Sequence, residues 1–171
     1  MTMIVTQRLR LRPARREDLE PLHAVLSDAR AMRYWSSMPH TELAQTRDWL
    51  ESMIAIDPAE GEDFVVELEG LAIGKAGLHG FPTIGFILHP DHWGRGLARE
   101  ALAAVIARAF AVHRLPAIVA DVDPRNAASL AVLGKLGFVE THRAARTWLV
   151  GDEYCDSVYL RLEPATPPAK A

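Results

Sequence analysis

Two glycines, Gly94 and Gly96, lie between a short apolar run and a long helical pattern. Because glycine has no Cβ, a ligand can approach its backbone closely, and the chain can adopt φ values that other residues resist. The apolar run, residues 84–88, predicts a buried strand that Pro90 closes. The predicted unit is therefore a strand, a glycine loop and a helix.

The helix after the loop is predicted over residues 96–113, where apolar side chains recur every three to four positions. The first turn of a helix leaves about four backbone N–H groups unpaired and carries about half a positive charge. Arg95 and Arg99 add positive charge beside these amides. This combination predicts a binding site for a phosphate or pyrophosphate group.

The spacing excludes two common nucleotide-binding loops. The dinucleotide fingerprint needs a third glycine where Arg99 stands. The phosphate loop of nucleoside triphosphatases needs a glycine upstream of a Gly-Lys pair, but Glu69 and Ser129 occupy that position before the two Gly-Lys pairs of this chain. For the loop taken alone, an ordinary glycine turn without a ligand is the alternative.

Composition predicts one domain with a substantial core, since the chain has 171 residues and 49% of them are hydrophobic. A net charge of -3 and a pI near 6.2 argue against binding nucleic acid or an anionic membrane through bulk charge. Cys155 is the single cysteine, so no intrachain disulfide can form. A cytoplasmic location is expected, because the N-terminus is too short for a signal sequence and Arg108 interrupts the most apolar helix.

The pattern of elements predicts a mixed α/β (α+β) fold. Six to seven strands and about four helices are expected, with a mostly antiparallel, twisted sheet. Residues 64–68, 71–78 and 83–88 should form an antiparallel meander. A strand at 116–122 should then pair in parallel with 83–88, because a helix connects the two. We expect the domain to span residues 1–163, followed by a disordered Pro/Ala tail at 164–171.

The glycine loop resembles the acyl-CoA pyrophosphate loop of the GNAT superfamily of N-acetyltransferases, whose motif is Arg/Gln-x-x-Gly-x-Gly/Ala. Residues 93–98 read Trp-Gly-Arg-Gly-Leu-Ala. Tryptophan in the first position is typical of the branch that resembles the ribosomal-protein alanine N-terminal acetyltransferases. A second signature, Asn-x-x-Ser-x-x-Val/Leu-Leu-x-Lys-x-Gly-Phe, is matched by residues 126–138. The resemblance covers residues 5–163.

This resemblance implies the GNAT fold, with a splayed parallel pair of strands at the acyl-CoA site. It also implies acetyl-CoA as cosubstrate and no other cofactor. Asn126 would hydrogen-bond the pantetheine arm, although helix capping alone would explain an asparagine there. The residues implied to bind the cosubstrate are Ile87, Leu88, Trp93, Gly94, Arg95, Gly96, Leu97, Ala98, Arg99, Asn126 and Ser129.

Acetyl transfer to an amine needs an unprotonated nucleophile, stabilisation of an oxyanion and a partner for the leaving thiolate. The backbone N–H of Leu88 is expected to face the oxyanion, a type of contact worth about 3–4 kcal/mol in known cases. Leu133 replaces the tyrosine that many relatives carry near the sulfur, so Ser129 is our candidate thiolate partner. Thr83 stands where relatives carry a glutamate. His79 is therefore the candidate base or water relay, the alternative being an exposed turn histidine.

Tyr34, Trp35 and Met38 lie in the connection between the first two predicted helices. In the resembled family this connection is one wall of the acceptor site, and the closing hairpin over 147–162 is the opposite wall. Alternatively, the three side chains fill the core beneath the loop. No histidine pair has the spacing of a metal site, so no metal is expected.

The expected reaction is transfer of an acetyl group from acetyl-CoA to a primary amine. By branch resemblance the amine is a protein or peptide N-terminus, but the branch also contains small-amine and antibiotic acetyltransferases. A non-catalytic acyl-CoA-binding module is the alternative from another functional class. The protein is expected to be a monomer or a homodimer.

Overall fold

The computed structural model describes residues 3–165 of the chain. Within them lie eight strands and four α-helices. The strands are β1 (Ile4–Val5), β2 (Leu9–Arg12), β3 (Glu62–Leu68), β4 (Leu71–Gly80), β5 (Thr83–Leu88), β6 (Ile118–Val122), β7 (Val139–Val150) and β8 (Glu153–Leu162). The helices are α1 (Leu19–Leu26), α2 (Leu43–Ile54), α3 (Leu97–Ala111) and α4 (Ala127–Lys135). Most of the predicted tail, from residue 166 onward, lies outside the described residues.

All eight strands form one sheet in the order β1-β2-β3-β4-β5-β6-β8-β7. Six of the seven neighbouring pairs are antiparallel, and β5–β6 is the parallel pair. Strands β3, β4 and β5 are the predicted meander, and α3 is the crossover between β5 and β6. The predicted mixed, mostly antiparallel α/β fold is confirmed.

The parallel pair meets at one end and then diverges. Thr83 of β5 is in register with Val119 of β6, whose N–H donates to the carbonyl of Pro82 at 3.1 Å. This is the one register partner that β5 and β6 share in the described chain. Past Thr83, a gap therefore opens towards the end of β5 where the glycine loop begins.

Helix α3 is seated on one face of the sheet by its buried side. The buried side chains are those that the spacing predicted, namely Leu97, Ala101, Leu102, Val105 and Ala109. Complete burial of a leucine such as Leu102 contributes about 1.5–3 kcal/mol. This packing fixes the start of α3 beside the gap. No helix within residues 3–165 is long and apolar enough to cross a membrane.

Helices α1 and α2 cover the other face of the sheet. Leu22 of α1 and Leu50 of α2 pack with Val65 of β3 in one buried cluster. The connection between these helices is anchored separately, because Met32 and Trp35 pack against Ile87 of β5. The connection is therefore held against the strand that leads to the glycine loop.

Two parts of the sheet differ from the sequence prediction. The short strand β1 adds an eighth strand at one edge. Strand β7 begins at Val139, well before the predicted start at residue 147. Most side chains of β7 are exposed on both faces, so the strand lacks the alternation of apolar and polar residues on which such a prediction depends.

Candidate active site

The loop between β5 and α3 presents backbone rather than side chains. Gly94 and Gly96 have φ values of +71° and +74°, in the left-handed region that favours glycine. Gly96 is the N-cap of α3, and no side chain among residues 3–165 caps the first turn. The N–H groups of that turn are therefore available to an anion.

Arg8 holds this loop from behind. Its Nη1 donates to the carbonyl of Arg95 at 2.8 Å, and its Nε donates to Glu100 Oε2 at 2.7 Å. Thr6 Oγ1 donates to the other carboxylate oxygen of Glu100 at 2.6 Å. Burial alone would raise the pKa of Glu100, but the hydrogen bonds from Thr6 and Arg8 outweigh it and hold that pKa below its usual value. The segment before β2 thus fixes the loop to the first turn of α3.

The gap beside β5 exposes a specific set of backbone groups. Successive residues of a strand turn their N–H and C=O groups to opposite neighbours. The N–H of His89 donates to the carbonyl of Ile73 on β4 at 2.8 Å. Ile87 lies two residues earlier, so its backbone groups also face β4. The backbone groups of Phe86 and Leu88 consequently face the gap.

The N–H of Leu88 thus faces the gap, as the mechanism predicted from the sequence requires. The backbone groups of Ile87 face β4 instead, so Phe86 rather than Ile87 offers its backbone to a ligand in the gap. Trp93 Nε1 donates to the carbonyl of Leu88 at 2.8 Å. Because the carbonyl is satisfied by the indole, the N–H is the group of Leu88 that a ligand in the gap can reach.

Helix α4 begins on the far side of the gap. The side-chain oxygen of Asn126 accepts a hydrogen bond from the backbone N–H of Ser129 at 3.1 Å. Asn126 is therefore a helix cap, which was one of the two interpretations from the sequence. Its amide nitrogen makes no hydrogen bond to the described residues. The Ser129 hydroxyl plays no part in this cap. Both roles of Asn126, capping and ligand binding, are compatible with this arrangement.

A cleft of about 910 Å³ brings these groups together. Ten of the eleven residues that the sequence implied for the cosubstrate line it: Ile87, Leu88, Trp93, Gly94, Gly96, Leu97, Ala98, Arg99, Asn126 and Ser129. Arg95 does not, and its guanidinium lies 3.4 Å from His92 Nδ1 instead. The cleft wall carries four cationic side chains, Arg30, Arg33, Arg99 and Lys135, and no carboxylate from the described part of the chain.

A second cleft, of about 710 Å³, adjoins the first. Tyr34 and Trp35 line both clefts, so the two meet at the connection between α1 and α2. Met38 lines the second cleft and approaches Gly151, since a Cβ at Gly151 would lie 3.1 Å from its sulfur. The β7–β8 hairpin supplies the opposite wall through Trp148 and other residues. Of the two sequence interpretations for Tyr34, Trp35 and Met38, the structure fits a cleft wall.

Carboxylates dominate this second cleft. Five line it, Asp63, Asp121, Asp123, Glu153 and Asp156, against the two cations Arg33 and Lys75. Arg125, behind the wall, pairs with Asp123 at 2.6 Å and with Glu153 at 2.7 Å. The hydrogen bond from Arg125 lowers the pKa of Asp123, so this carboxylate stays ionised. Asp121 accepts a hydrogen bond from Trp148 Nε1 at 2.9 Å and keeps its negative charge uncompensated by a salt bridge to any described residue.

His79 and Thr83 also line the second cleft. The His79 side chain is exposed and makes no hydrogen bond to residues 3–165. Lys75 and Asp63 also lie buried in this cleft and were not predicted from the sequence. One signal for Lys75 was present, namely a lysine inside the apolar run 71–78. Within residues 3–165, no three histidine, cysteine or acidic side chains are grouped as a metal site would require.

Comparison with known proteins gives consistent results. Residues 8–139 match the family described as the acetyltransferase (GNAT) domain. An uncharacterised N-acetyltransferase, p20, from Bacillus licheniformis is 32% identical over 148 residues, which cover 81% of this chain and 83% of that protein. A spermidine N(1)-acetyltransferase from Escherichia coli K12 is 28% identical over 158 residues, covering 89% of this chain and 84% of the relative.

A solved structure extends the likeness to nearly the whole chain. The ribosomal alpha-N-protein acetyltransferase RimL, in complex with coenzyme A, superposes with a TM-score of 0.84. The superposition covers 95% of this chain and 98% of that one, at 18% sequence identity. At that identity the likeness shows a shared fold.

Proposed function

This chain belongs to the GNAT acetyltransferase family and is an acetyl-CoA-dependent acetyltransferase, and on that premise we propose that its acceptor is the α-amine of a protein or peptide N-terminus. The observation that carries the proposal is the division of charge between two adjoining clefts. A basic cleft suits a polyphosphate ligand, and an acidic cleft suits an ammonium group.

The residues of the basic cleft fit acetyl-CoA. Gly94 and Gly96 lack the side chains that would block a pyrophosphate, and the first turn of α3 offers free N–H groups. The gap between β5 and β6 offers the backbone of Phe86 and Leu88 to the amide groups of pantetheine. When bound, acetyl-CoA supplies the activated acetyl group as a thioester.

The residues around the gap have separate roles in our mechanism. The N–H of Leu88 stabilises the negative charge that develops on the acyl oxygen. The hydroxyl of Ser129 hydrogen-bonds the departing thiolate, directly or through water. Tyr34 and Trp35, at the junction of the clefts, align the amine with the acyl carbon. His79 is the histidine that lines the acceptor cleft, and its imidazole relays the proton of the incoming ammonium.

Two acceptor classes are compatible with an acidic cleft. The protein N-terminus is supported by the fold shared with RimL, a protein N-terminal acetyltransferase, and by the size of the acidic cleft, about 710 Å³. A small polyamine is the second candidate, because a relative named as a spermidine acetyltransferase is 28% identical over most of this chain. Both carry a primary amine, and they differ in the charge of the rest of the molecule.

The test is release of free CoA from acetyl-CoA, measured with a thiol reagent, across peptides with varied N-termini, polyamines and aminoglycosides. We expect amine-stimulated release with a subset of the peptides. Stimulation by polyamines alone would replace the proposed acceptor with the second candidate. Release that no amine stimulates, despite measurable acetyl-CoA binding, would contradict both.

A further inference from the structure

The acceptor cleft contains a buried ion pair that the mechanism above does not use. Lys75 Nζ of β4 lies 2.9 Å from Asp63 Oδ2 of β3, and the two side chains are 5% and 1% exposed. Both residues line the cleft, next to Trp35, whose ring centre lies 5.5 Å from the ammonium. The cleft floor therefore carries a positive and a negative group shielded from bulk water.

Gly77 makes room for this pair, and Gly85 lies beside it. A Cβ at Gly77 would overlap the Asp63 carboxylate, whereas a Cβ at Gly85 would be in ordinary contact with Lys75 Nζ, at 3.5 Å. Gly77 and Gly85 are direct partners in the β4–β5 register. The sheet therefore has no side chains at Gly77 and Gly85, beside the ion pair, and the Lys75 ammonium lies next to the cleft.

Fold stability alone does not account for the pair. Taking two charges out of water is costly, and apolar residues of similar volume often stabilise a fold equally well or better. On the same face of the sheet, Val65 of β3 and Ala72 of β4 are buried apolar residues. A role in recognition explains why a charged pair stands at the cleft floor.

The ammonium of Lys75 has donors to spare. It carries three N–H groups, and Asp63 accepts one of them. Within residues 3–165 the ammonium makes no other hydrogen bond, although the indole of Trp35 attracts its charge. A ligand oxygen at the cleft floor would complete this coordination.

We infer that Lys75 is a specificity-determining residue that binds the carbonyl or carboxylate oxygen on the α-carbon of the acceptor amine. This inference rests on the proposed function and narrows its substrate to α-amino-acyl compounds. Asp63 is a positioning residue, because it holds the Lys75 ammonium in place. A second ammonium on the acceptor would meet Lys75 as a like charge, which disfavours polyamines at this part of the cleft.

The experiment compares two matched amines, alaninamide and isopropylamine, which differ in the α-carbonyl group. The measured quantity is the ratio of their kcat/KM values, in the native protein and in Lys75→Met. We expect the substitution to reduce the preference for alaninamide about 10- to 100-fold, because a hydrogen bond to a charged group is lost. A purely structural role would lower both kcat/KM values together and leave their ratio unchanged, which would overturn the inference.

Lys75→Met leaves the Asp63 carboxylate buried without a cation, which destabilises the fold. The double variant Asp63→Asn, Lys75→Met removes both charges and should show the same loss of preference. An unchanged ratio in the folded double variant would also overturn the inference. Free alanine and an alanine-initiated tripeptide amide then distinguish a carboxylate from a peptide carbonyl as the oxygen that is recognised.

The native protein separates failure of the inference from failure of the proposed function. Turnover of isopropylamine as efficient as that of alaninamide would contradict the role of Lys75 and leave the N-acetyltransferase activity standing. If no amine in the set is acetylated, the proposed acceptor class fails and this inference fails with it.

Discussion

The two clefts that meet at Tyr34 and Trp35 are opposite in charge and in construction. The basic cleft, which we propose to bind acetyl-CoA, is lined by four cationic side chains and by backbone groups of β5, the glycine loop and the first turn of α3. The acceptor cleft is lined by five carboxylates and two cations. The first is built largely from main chain whose conformation glycine permits, whereas the second is built from side chains.

The two kinds of construction suit different ligands. A backbone site suits the phosphates of acetyl-CoA, because N–H groups at a helix start bind phosphate whatever the surrounding side chains are. A side-chain site can be altered one charge at a time, so it is suited to choosing an acceptor. Substitutions in the two clefts should therefore affect different kinetic constants.

The largest effect is expected from Gly96→Asp. The aspartate must adopt a backbone φ of +74°, which is strained for a residue with a side chain. Its carboxylate also repels the phosphates at the start of α3. Affinity for acetyl-CoA should fall at least about 100-fold, as strain and like-charge repulsion act together. Isothermal titration calorimetry with acetyl-CoA measures this directly.

Gly134→Ala is the matched control for Gly96→Asp. Gly134 lies in α4 with no atom near an added Cβ, so alanine should leave affinity unchanged and stabilise the helix by up to about 1 kcal/mol. Unaltered acetyl-CoA affinity in Gly96→Asp would remove the glycine loop from the acetyl-CoA site and end the comparison of the two clefts.

A smaller effect, on turnover, is expected from Ser129→Ala. The helix cap at this position uses the Ser129 backbone N–H, so alanine leaves it intact. We expect kcat to fall about 100-fold, the low end for loss of a proton-transfer group, with little change in acetyl-CoA affinity. Steady-state kinetics and calorimetry on the same variant separate these quantities.

Ser129→Thr keeps the hydroxyl and should retain most of the activity that alanine loses. A kcat for Ser129→Ala equal to that of the native protein would remove Ser129 from the mechanism. The catalytic part of the basic cleft would then be limited to the N–H of Leu88.

A substitution in the acceptor cleft should change the KM of the acceptor amine. Asp121→Asn keeps an oxygen that can accept the hydrogen bond from Trp148 Nε1 but removes a charge from the cleft wall. The KM of a cationic acceptor should rise about 3- to 10-fold, as for loss of one partly screened charge interaction, while acetyl-CoA affinity stays the same. Salt should weaken the difference, since the interaction is electrostatic.

Glu20→Gln makes the same change in net charge at an exposed position of α1, a helix none of whose residues lines either cleft, and should alter neither constant. Equal effects of Asp121→Asn and Glu20→Gln would mean that overall charge, rather than the acceptor cleft, attracts the amine.

The contrast in construction also explains how much the sequence could predict. Gly96, the strand before it and the helix after it are neighbours in sequence, so their joint geometry follows from local rules. The phase of β5, which turns Phe86 rather than Ile87 to the gap, depends on pairing with β4 and could not be derived locally.

The acceptor cleft is assembled from distant segments. Asp63, Lys75 and Asp121 come from three different strands, and Glu153 comes from the final hairpin. Each looks alone like an ordinary solvated charge, and only the sheet order brings them together. Lys75 was detectable as a charge in an apolar strand, but its partner Asp63 was not, because only the register of β3 and β4 makes the two residues diagonal neighbours.

The smallest expected effect is a pH dependence of Tm and of acceptor KM, and it involves the wall that the two clefts share. His23 Nδ1 and His40 Nδ1 lie 2.7 and 2.8 Å from the buried hydroxyl of Thr46, and this contact holds the end of the connection that carries Tyr34 and Trp35. Burial, together with the charge of His23, lowers the pKa of His40. The unfolded chain therefore binds a proton more readily, and the stabilising effect of neutral His40 is lost as the pH falls below about 6.5.

We therefore expect Tm to decrease by a few degrees between pH 7.5 and 5.5, and less in His40→Asn, which keeps a hydrogen-bonding group but does not titrate. Because the same histidines anchor the wall of the acceptor cleft, acceptor KM should rise with acidification more steeply in the native protein than in His40→Asn. Comparison of the two proteins at each pH cancels protonation of the acceptor amine itself. Identical pH profiles for Tm and KM would mean that the wall is held by the packing of Met32 and Trp35 on Ile87 and not by the histidines.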